Sequence, residues 1–372
     1  MKFFFFHLMP WPYLPKEYQG PAWITCPNSY YDPAKGNAVY NRYLDELLYA
    51  EELGFDGVVV NEHHANAYGN MPSPNLIGSI LARQTSRVKI AIVGNALPLY
   101  NPPTRVAEEF AMIDVISGGR LIAGMVVGGG PEYYSNGLNP THARAQFYEA
   151  LDLVKQAWTR PGPFEFHGQY YKMRYVNPWP RPLQQPHPPI WIPGAGSLET
   201  MEFCAKHRYA YMGIPYFHKR VFKRNFDFMR ESCAKEGYAP DPEQLGWLTP
   251  VYVAETDEQA WREFEPHLFY FAHKFLVGIE TSPPGYTSAK SVLRISTGLL
   301  GASVGQAKVP CSSRLYRIQN PDRSHAKIFK RSPRRFRNRK RWPESGSSEN
   351  RSRTSPAKPS IDRRRSVAPV AR

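Results

Sequence analysis

The chain has 372 residues, of which 42% are hydrophobic and 14% aromatic, a composition typical of a globular protein large enough for one α/β domain. No apolar run approaches the length of a membrane-spanning helix, and the four cysteines include no CxxC pair, so neither a membrane protein nor a disulfide or zinc framework is indicated. The net charge of +15 comes from the end of the chain: residues 301–372 carry 20 Lys and Arg against four acidic residues, whereas residues 1–300 carry 27 against 28. We expect a cytoplasmic protein.

Residues 1 to about 300 alternate short apolar runs with amphipathic stretches. The first run, KFFFFHL, predicts a strand and not a signal peptide, because Pro10, Pro12 and Pro15 follow it before any small-residue cleavage site. A helix is predicted in VYNRYLDELLYAEELG, with Gly54 placed to end it. The same pairing of strand and helix recurs six more times. The predicted strands are GVVVN, VKIAIVG, RLIAGMVVG, PIWIPG, YAYMGI and LGWLTPVYVAE. The helices that follow them are, in the same order, PSPNLIGSILARQTS, PPTRVAEEFAMIDVISGG, ARAQFYEALDLVKQAW, SLETMEFCAKH, FHKRVFKRNFDFMRESCAKEG and DEQAWREFEPHLFYFAHKF.

These seven strand–helix units predict an α/β fold with a parallel sheet. Seven or eight units favour a (β/α)8 TIM barrel over an open doubly wound sheet. Because only seven units are found, we expect the eighth strand–helix unit to be missing or replaced. The barrel would span about residues 1–300. The segment at about 162–189, a hairpin and a proline-rich connector, would pack outside it.

Residues 301–372 differ sharply in composition, being rich in Arg, Ser and Pro without a sustained apolar period. We expect a disordered basic tail. The alternative hypothesis is an out-of-frame translation that begins near residues 290–305, which translating the gene in its other frames would test. We do not expect nucleic-acid binding, because no aromatic platform or recognised module accompanies the charge.

The segment NEHHANAYGN, residues 61–70, follows the predicted second strand. In parallel barrels the reactive groups stand on loops after the carboxyl ends of strands, so His63 and His64 are predicted to lie at that rim. Metal binding is not expected, because adjacent histidines diverge and no HxxxH spacing accompanies them. A histidine at the rim suits a general acid or base. The alternative is a pair of structural histidines held by Glu62 and the backbone.

Two further strand ends carry small or polar residues. In GNALPLYNPP, Asn95 and Ala96 would allow the backbone to approach a flat ligand closely. In VVGGGPEYY, Gly128 would open a turn while Tyr133 and Tyr134 wall a pocket. The glycines lack the GxGxxG and GxxxxGKS spacings of dinucleotide-binding and P-loop proteins.

The fifth predicted strand, PIWIPG, leads through Gly196 into the helix LETMEFCAKH. Small residues at a helix N-terminus favour an anion site, with Ser197 as N-cap and Thr200 in the first turn able to donate to phosphate. An ordinary capped helix is the alternative, but it does not explain the glycine before the cap.

The chain resembles the bacterial luciferase-like flavin-dependent monooxygenases, which fold as (β/α)8 barrels. The similar segments are YAEELGFDGVVVNEHH, ARQTSRVKIAIVGNALPLYNPPTRVAEEFAMIDVISGGRLIAGMVVGG, FYEALDLVKQAW with FEFHGQYY, and RPLQQPHPPIWIPGAGSLET, in family order over about residues 1–290. The resemblance implies a monooxygenase in which reduced FMN, supplied by an NAD(P)H:flavin reductase, and O2 oxidise a small organic substrate through a C4a-peroxyflavin. It also implies a homodimer, for which the helix with Asn75, Leu76, Ile77 and Ile80 is a candidate face, although packing against the core explains this apolar face equally well.

By position, the resemblance implies that His63 is the catalytic histidine, with Glu62 and His64 as its supports. Asn95 and Ala96 would lie along the flavin ring, across a non-proline cis peptide bond. The cofactor-binding residues would be Asn95, Ala96, Gly128, Arg144, Gly196, Ser197 and Thr200. The aromatic walls of the substrate pocket would be Trp11, Tyr13, Tyr133, Tyr134, Tyr216 and Phe217.

Two other functions are compatible with the same residues. One is a deazaflavin (F420)-dependent oxidoreductase of the same superfamily, and the other is a flavin-binding protein without turnover. Binding assays with each cofactor would separate the first from an FMN enzyme, and a test of turnover would separate the second.

Overall fold

The computed structural model describes residues 1–20, 22–23, 26–215 and 219–275. Within these ranges the strands are β1 Phe4–Phe6, β2 Gly57–Val60, β3 Lys89–Ala96, β4 Leu121–Val126, β5 Phe164–His167, β6 Lys172–Val176, β7 Ile190–Gly194, β8 Ala210–Gly213 and β9 Leu245–Trp247. The helices are α1 Pro33–Glu52, α2 Pro74–Gln84, α3 Thr104–Ser117, α4 Gly130–Asn136, α5 Ala143–Thr159, α6 Leu198–His207, α7 Lys219–Lys235 and α8 Asp257–Phe275.

Seven strands form one sheet in the order β1-β2-β3-β4-β7-β8-β9, and every ladder between neighbours is parallel. Each of these strands is followed along the chain by at least one helix, as parallel pairing requires. The predicted seven strand–helix units and the parallel sheet are confirmed. The last predicted strand is shorter than expected and ends at Trp247, three residues before Pro250, which has no N–H to donate to a ladder.

The sheet curves as a barrel does. Neighbouring strands lie about 4.8 Å apart, so β1 and β7, four positions apart in the order, would be separated by about 19 Å in a flat sheet. Instead the rings of Phe4 and Trp191 lie 5.1 Å apart. Lys2 and Glu243, which precede the two edge strands, form an ion pair of 2.5 Å. Within the described residues β1 and β9 are the edges and do not pair, so the predicted TIM-barrel type is confirmed as a curved sheet that is not closed there.

The apolar core has two parts, one on each face of the sheet. The concave face holds a small cluster of Phe4, Phe6, Val59, Ala91, Val93, Ile122 and Trp191. The larger cluster lies between the sheet and the surrounding helices, where alternate strand residues such as Val58, Ile90 and Ile92 meet Leu47, Phe110 and Trp158. This arrangement is the expected one for strands covered on both faces, which read as continuous apolar runs.

A separate antiparallel pair, β5 and β6, forms between α5 and β7. Its connector to β7 is attached to the helical layer, because the Gln184 backbone and side chain donate to the Asp114 carboxylate at 2.9 and 2.7 Å, and Arg181 Nη2 donates to the Trp158 carbonyl at 2.8 Å. The predicted tail at 301–372 and the candidate residues Tyr216 and Phe217 lie outside the described residues. In the part of the chain that is described, no helix is long and apolar enough to cross a membrane.

Candidate active site

The carboxyl ends of β2, β3, β4 and β7 share one edge of the sheet, because all its strands run parallel. The loop after β2 carries His63 and His64, and the end of β3 carries Asn95. α4 and α6 begin after β4 and β7. Most of the residues predicted for a site therefore lie on this rim.

His63 is hydrogen-bonded to Glu132 of α4. Nδ1 of His63 and Oε1 of Glu132 are 3.1 Å apart, and their side chains are 19% and 9% exposed. Burial acts to raise the pKa of Glu132, but the hydrogen bond and charge of His63 outweigh it and lower that pKa below its ordinary value. Glu132 therefore faces the imidazole as a carboxylate. Sequence reasoning missed this residue, whose only signal was a lone acidic side chain directly after the glycine run.

The other imidazole nitrogen is the one available for chemistry. An ionised carboxylate only accepts hydrogen bonds, so Nδ1 of His63 carries the proton that faces Glu132. Nε2 has no hydrogen-bond partner among the residues that the structure describes. Such an imidazole can take up a proton at Nε2, while the carboxylate stabilises the resulting cation.

Aromatic side chains surround His63. The rings of Trp23 and Tyr68 meet the imidazole edge-on, with centroids 5.5 and 4.8 Å away, and stack on each other at 4.3 Å. Trp23 Nε1 donates to the carbonyl of Phe275, the last residue of α8, and the Phe275 ring lies 6.1 Å from that of Tyr68. The end of α8 therefore supports an apolar wall that limits access of water to the histidine.

Glu62 is the centre of a second, separate network. Its Oε1 accepts from Nε2 of His64 at 2.7 Å. Its Oε2 accepts from the Asn95 side chain at 2.9 Å, the Ala96 backbone at 3.2 Å and the Tyr100 hydroxyl at 2.8 Å. The donors equal in number the four lone-pair sites of a carboxylate, and three of them converge on Oε2. The hydrogen bond with Glu62 raises the pKa of His64, and burial together with Glu62 raises the pKa of Tyr100, which stays a donor.

This network corrects the expected supports of His63. Glu62 binds His64 and the end of β3, whereas His63 is held by Glu132. The correction has a simple geometric reason, because adjacent side chains beyond a strand point to different sides. Asn95 is fully buried, and its amide nitrogen donates to Glu62, while its Oδ1 has no hydrogen-bond partner among the residues that the structure describes.

The end of β3 is irregular where the flavin ring was expected. The β3–β4 register shifts between Ile92 and Asn95. The non-proline cis peptide bond is Val93–Gly94, so its expected position between Asn95 and Ala96 is wrong. A Cβ at Gly94 would lie 2.7 Å from backbone atoms of β4, so this close approach requires glycine.

After β4 the chain passes Gly128, where φ is 92°, and then enters the short helix α4, which the sequence did not predict. Pro131 occupies its first turn, and Gly137 ends it in the left-handed conformation with φ of 67°. Tyr133 is buried, donates to the Val127 carbonyl at 2.8 Å and lies against Gly128, where a Cβ would be 3.0 Å from its ring. Tyr134 is 53% exposed, so only one of the two tyrosines lines the interior.

The start of α6 brings three predicted residues together. Ser197 is the N-cap, yet its side chain makes no capping hydrogen bond within the described part of the chain. Thr200 is buried in the first turn, and its hydroxyl lies 3.3 Å from Nη1 of Arg144 in α5. Free N–H groups, two hydroxyls and a guanidinium converge there, and this donor set suits a phosphate.

The loop before α6 is held in place by contacts with α7 and β8. Gly196 has φ of 92°, and a Cβ there would lie 3.0 Å from the amide of Asn225, a buried residue of α7. The Tyr211 hydroxyl donates to the Gly194 carbonyl at 3.0 Å. Asn225 and Tyr211 escaped sequence reasoning because nothing near them in the chain relates them to this loop.

Trp11 and Tyr13 lie beside the His63 loop. The Trp11 backbone donates to the Ala67 carbonyl at 2.9 Å, and its buried indole donates to the Tyr30 carbonyl. Tyr13 contacts the Trp11 ring at 5.3 Å and is 49% exposed. Among the described residues, no group of three or more His, Cys, Asp or Glu side chains could hold a metal ion.

Comparison with known proteins agrees with this architecture. The family model described as luciferase-like monooxygenase matches residues 23–291. The chain is 27% identical, over 226 residues, to the oxygenase component of the flavin-dependent trigonelline monooxygenase of Acinetobacter baylyi, covering 60% of this chain and 61% of that protein. Matches to three curated relatives cover 46%, 61% and 45% of their lengths, so the chain spans about half of these proteins.

Solved structures share the fold. The FMN complex of the oxygenating constituent of 3,6-diketocamphane monooxygenase from Pseudomonas putida, a type II Baeyer–Villiger enzyme, matches with a TM-score of 0.58 and 21% identity over 73% of each chain. An F420-dependent secondary alcohol dehydrogenase matches with a TM-score of 0.56 and 18% identity over 80% of this chain and 82% of that one. At these identities the likeness is one of fold. The family match covers well over half of the chain, which therefore belongs to the luciferase-like monooxygenase family.

Proposed function

We propose that the protein is a flavin-dependent monooxygenase that uses reduced FMN and O2 to oxidise a small organic substrate. The observation that carries this proposal is the His63–Glu132 pair, which presents an uncommitted imidazole nitrogen at the carboxyl edge of the sheet. Membership of the family and the flavin-dependent relative support it. The substrate itself has no assignment.

The residues at the start of α6 would hold the phosphate of FMN. The uncapped N-terminus favours an anion, because its N–H groups have no partners within the helix. Thr200 and Ser197 would donate from their hydroxyls and Arg144 would supply the positive charge. The irregular end of β3, with the Ala96 N–H held by Glu62, would support the ring system.

When bound, reduced FMN supplies the two electrons with which O2 is split between the oxidised product and water. His63 would accept or return one proton at Nε2 beside the reacting groups. Glu132 would stabilise the imidazolium and keep its orientation. Trp23 and Tyr68 would exclude water from the histidine. Water would bring stray protons to the site, and such protons would let the oxidising equivalents be lost without oxidation of the substrate.

The proposed partners are a flavin reductase and a second copy of the chain. One relative is named as an oxygenase component, which supports a separate NAD(P)H:flavin reductase as the source of reduced FMN. For the homodimer, α2 and α3 pack side by side and expose Leu76, Met112, Val115 and Ile116. Of the residues expected on this face, Leu76 is exposed, whereas Asn75 and Ile77 are buried in the chain.

A deazaflavin-dependent hydride transfer is the second candidate, favoured by the fold shared with the F420-dependent alcohol dehydrogenase. Equilibrium binding of reduced FMN and of reduced F420 distinguishes the two, and we expect tighter binding of FMN. A flavin-binding protein without turnover would bind FMN but neither consume NADH with a reductase beyond the no-protein rate nor oxygenate any member of a substrate panel.

The proposal is tested by mixing the protein with FMN, NADH, a flavin reductase and O2, and screening a panel of ketones and N-heterocycles for oxygenated products by mass spectrometry with 18O2. We expect one labelled oxygen in a product. A panel without labelled product, combined with tight binding of F420 and hydride transfer to it, would contradict the monooxygenase assignment.

A further inference from the structure

Arg144, the cation proposed for the phosphate, already has an anionic partner in this chain. Its Nε lies 3.3 Å from Oε2 of Glu199, which stands in the first turn of α6 between Ser197 and Thr200. The other oxygen of Glu199 accepts from the Tyr148 hydroxyl at 3.1 Å. A carboxylate therefore occupies one side of the guanidinium at the edge of the proposed phosphate site.

The contacts of Arg144 divide between this carboxylate and the site. Nη1 lies 3.3 Å from the Thr200 hydroxyl and 3.3 Å from the Tyr148 hydroxyl, while Nε faces Glu199. A phosphate prefers two parallel N–H donors of one guanidinium. Glu199 takes one of those donors, and its charge repels an incoming phosphate.

We propose that Glu199 is a specificity-determining residue of the phosphate site, whose carboxylate competes with the phosphate of the ligand for Arg144. This inference rests on the proposed function, since it assumes that the start of α6 holds the phosphate of FMN. Binding of the phosphate exchanges the partner of Arg144 from Glu199 to the ligand, and Glu199 turns to solvent.

The exposure of the pair makes such an exchange feasible. The side chains of Arg144 and Glu199 are 37% and 58% exposed. An ion pair in this setting is weak and screened by water, so a phosphate dianion with additional donors from the helix can displace it. The helix N-terminus also favours Glu199 where it stands, which keeps the carboxylate close when no ligand is bound.

The test compares dissociation constants for reduced FMN and reduced riboflavin, measured anaerobically by quenching of tryptophan fluorescence. The variants are Glu199→Gln, Glu202→Gln and both changes in an Arg144→Gln background. Glu202 is exposed on the same helix and makes no ion pair in the part of the chain that the structure describes, so its replacement removes the same charge without touching Arg144.

We expect Glu199→Gln to bind reduced FMN roughly two- to tenfold more tightly than the wild type and than Glu202→Gln, with riboflavin binding unchanged. In the Arg144→Gln background the gain from Glu199→Gln should fall to that from Glu202→Gln, because competition for the guanidinium is gone and only the repulsion between charges remains. An FMN affinity equal to that of Glu202→Gln, or weaker than the wild type, would overturn the inference and leave the phosphate site intact. A wild type that binds FMN no more tightly than riboflavin would overturn the phosphate site itself, and with it the proposed cofactor.

Discussion

Glu62 and Glu132 are buried carboxylates with different tasks around one loop. Glu132 lies on α4 and holds the imidazole of His63, which follows β2. α4 follows β4, and β3 lies between β2 and β4 in the sheet. Glu62 ties His64, at the end of β2, to the side chain of Asn95 and the backbone of Ala96, at the end of β3. The first contact orients a side chain, and the second fixes the backbone on which a ligand would rest.

Glu132→Gln should lower the free energy of unfolding by about 1–3 kcal/mol at pH 7, because the amide replaces a charged acceptor in a buried pair. Burial raises the pKa of Glu132, but the hydrogen bond and charge of His63 lower it by more, so the folded pKa lies below the ordinary 4.5. The stabilisation is therefore complete above pH 4.5 and is lost as the pH falls through the lower folded pKa.

Urea unfolding of wild type and Glu132→Gln at a series of pH values measures this dependence. The difference between the two proteins should shrink as the pH falls below 4.5. A difference that grows on acidification would show that Glu132 is protonated in the folded protein, against this account.

Glu62→Gln should be more destabilising, by about 2–4 kcal/mol, because an amide cannot accept from all four donors around it and adds a donor of its own. Tyr100→Phe removes only one of those donors and should cost about 1 kcal/mol. Denaturant unfolding of both variants measures these two free-energy differences. Equal costs for the two variants would mean that the carboxylate is not the centre of the network.

At the scale of elements, β3 combines a core strand with an irregular end at the rim. Gly94→Ala should cost about 3 kcal/mol or more, because its Cβ would lie 2.7 Å from the backbone of β4, which cannot give way as a flexible side chain could. Gly137→Ala is the control. Gly137 ends α4 with φ of 67° and has open space around it, so only the left-handed backbone conformation should lower the free energy of unfolding, by about 1–2 kcal/mol. Thermal unfolding measures both variants, and Gly94→Ala should have the lower melting temperature. Similar melting temperatures would argue against close strand packing at Gly94.

Substitutions on the exposed apolar face of α2 and α3 test the proposed homodimer. Leu76 is 68% exposed and Val115 is 45% exposed, so Leu76→Glu with Val115→Glu should shift the mass in sedimentation from two chains to one. Gln84→Glu adds one negative charge to α2, as Leu76→Glu does, but at a polar, exposed position, and should leave the mass unchanged. A wild type that sediments as one chain, or a double variant that remains a dimer, would refute this interface.

At the scale of the whole molecule, the fold followed from the apolar pattern, because each unit pairs an apolar run of strand length with an amphipathic helix, and several of these helices begin with proline or end at glycine. Gly54, for example, lies beyond α1 with φ of 90°, as predicted. The rim position of His63 followed from the same pattern, since parallel strands share a carboxyl edge.

The contacts that complete the site could not be predicted in this way. Glu132 is 69 residues from His63, and Asn225 reaches the Gly196 loop from α7, so neither pairing has a local signal. The position of the cis bond at Val93–Gly94 was not predicted, and α4 was missed because its sequence begins within a run of glycines. Local patterns specify elements, whereas side-chain pairs between elements depend on how those elements pack.

The measurement that tests the central claim follows the protein with reduced FMN after mixing with O2, recording O2 consumption and the return of oxidised-FMN absorbance together. In the wild type we expect the absorbance to return well after O2 is consumed, because in the proposed function His63 handles the proton on which that return depends and the rings beside it keep water away. His63→Ala should shorten this delay about a hundredfold or more while still binding FMN through the start of α6. An equal delay in the variant, or none in the wild type, would contradict the proposed role of His63.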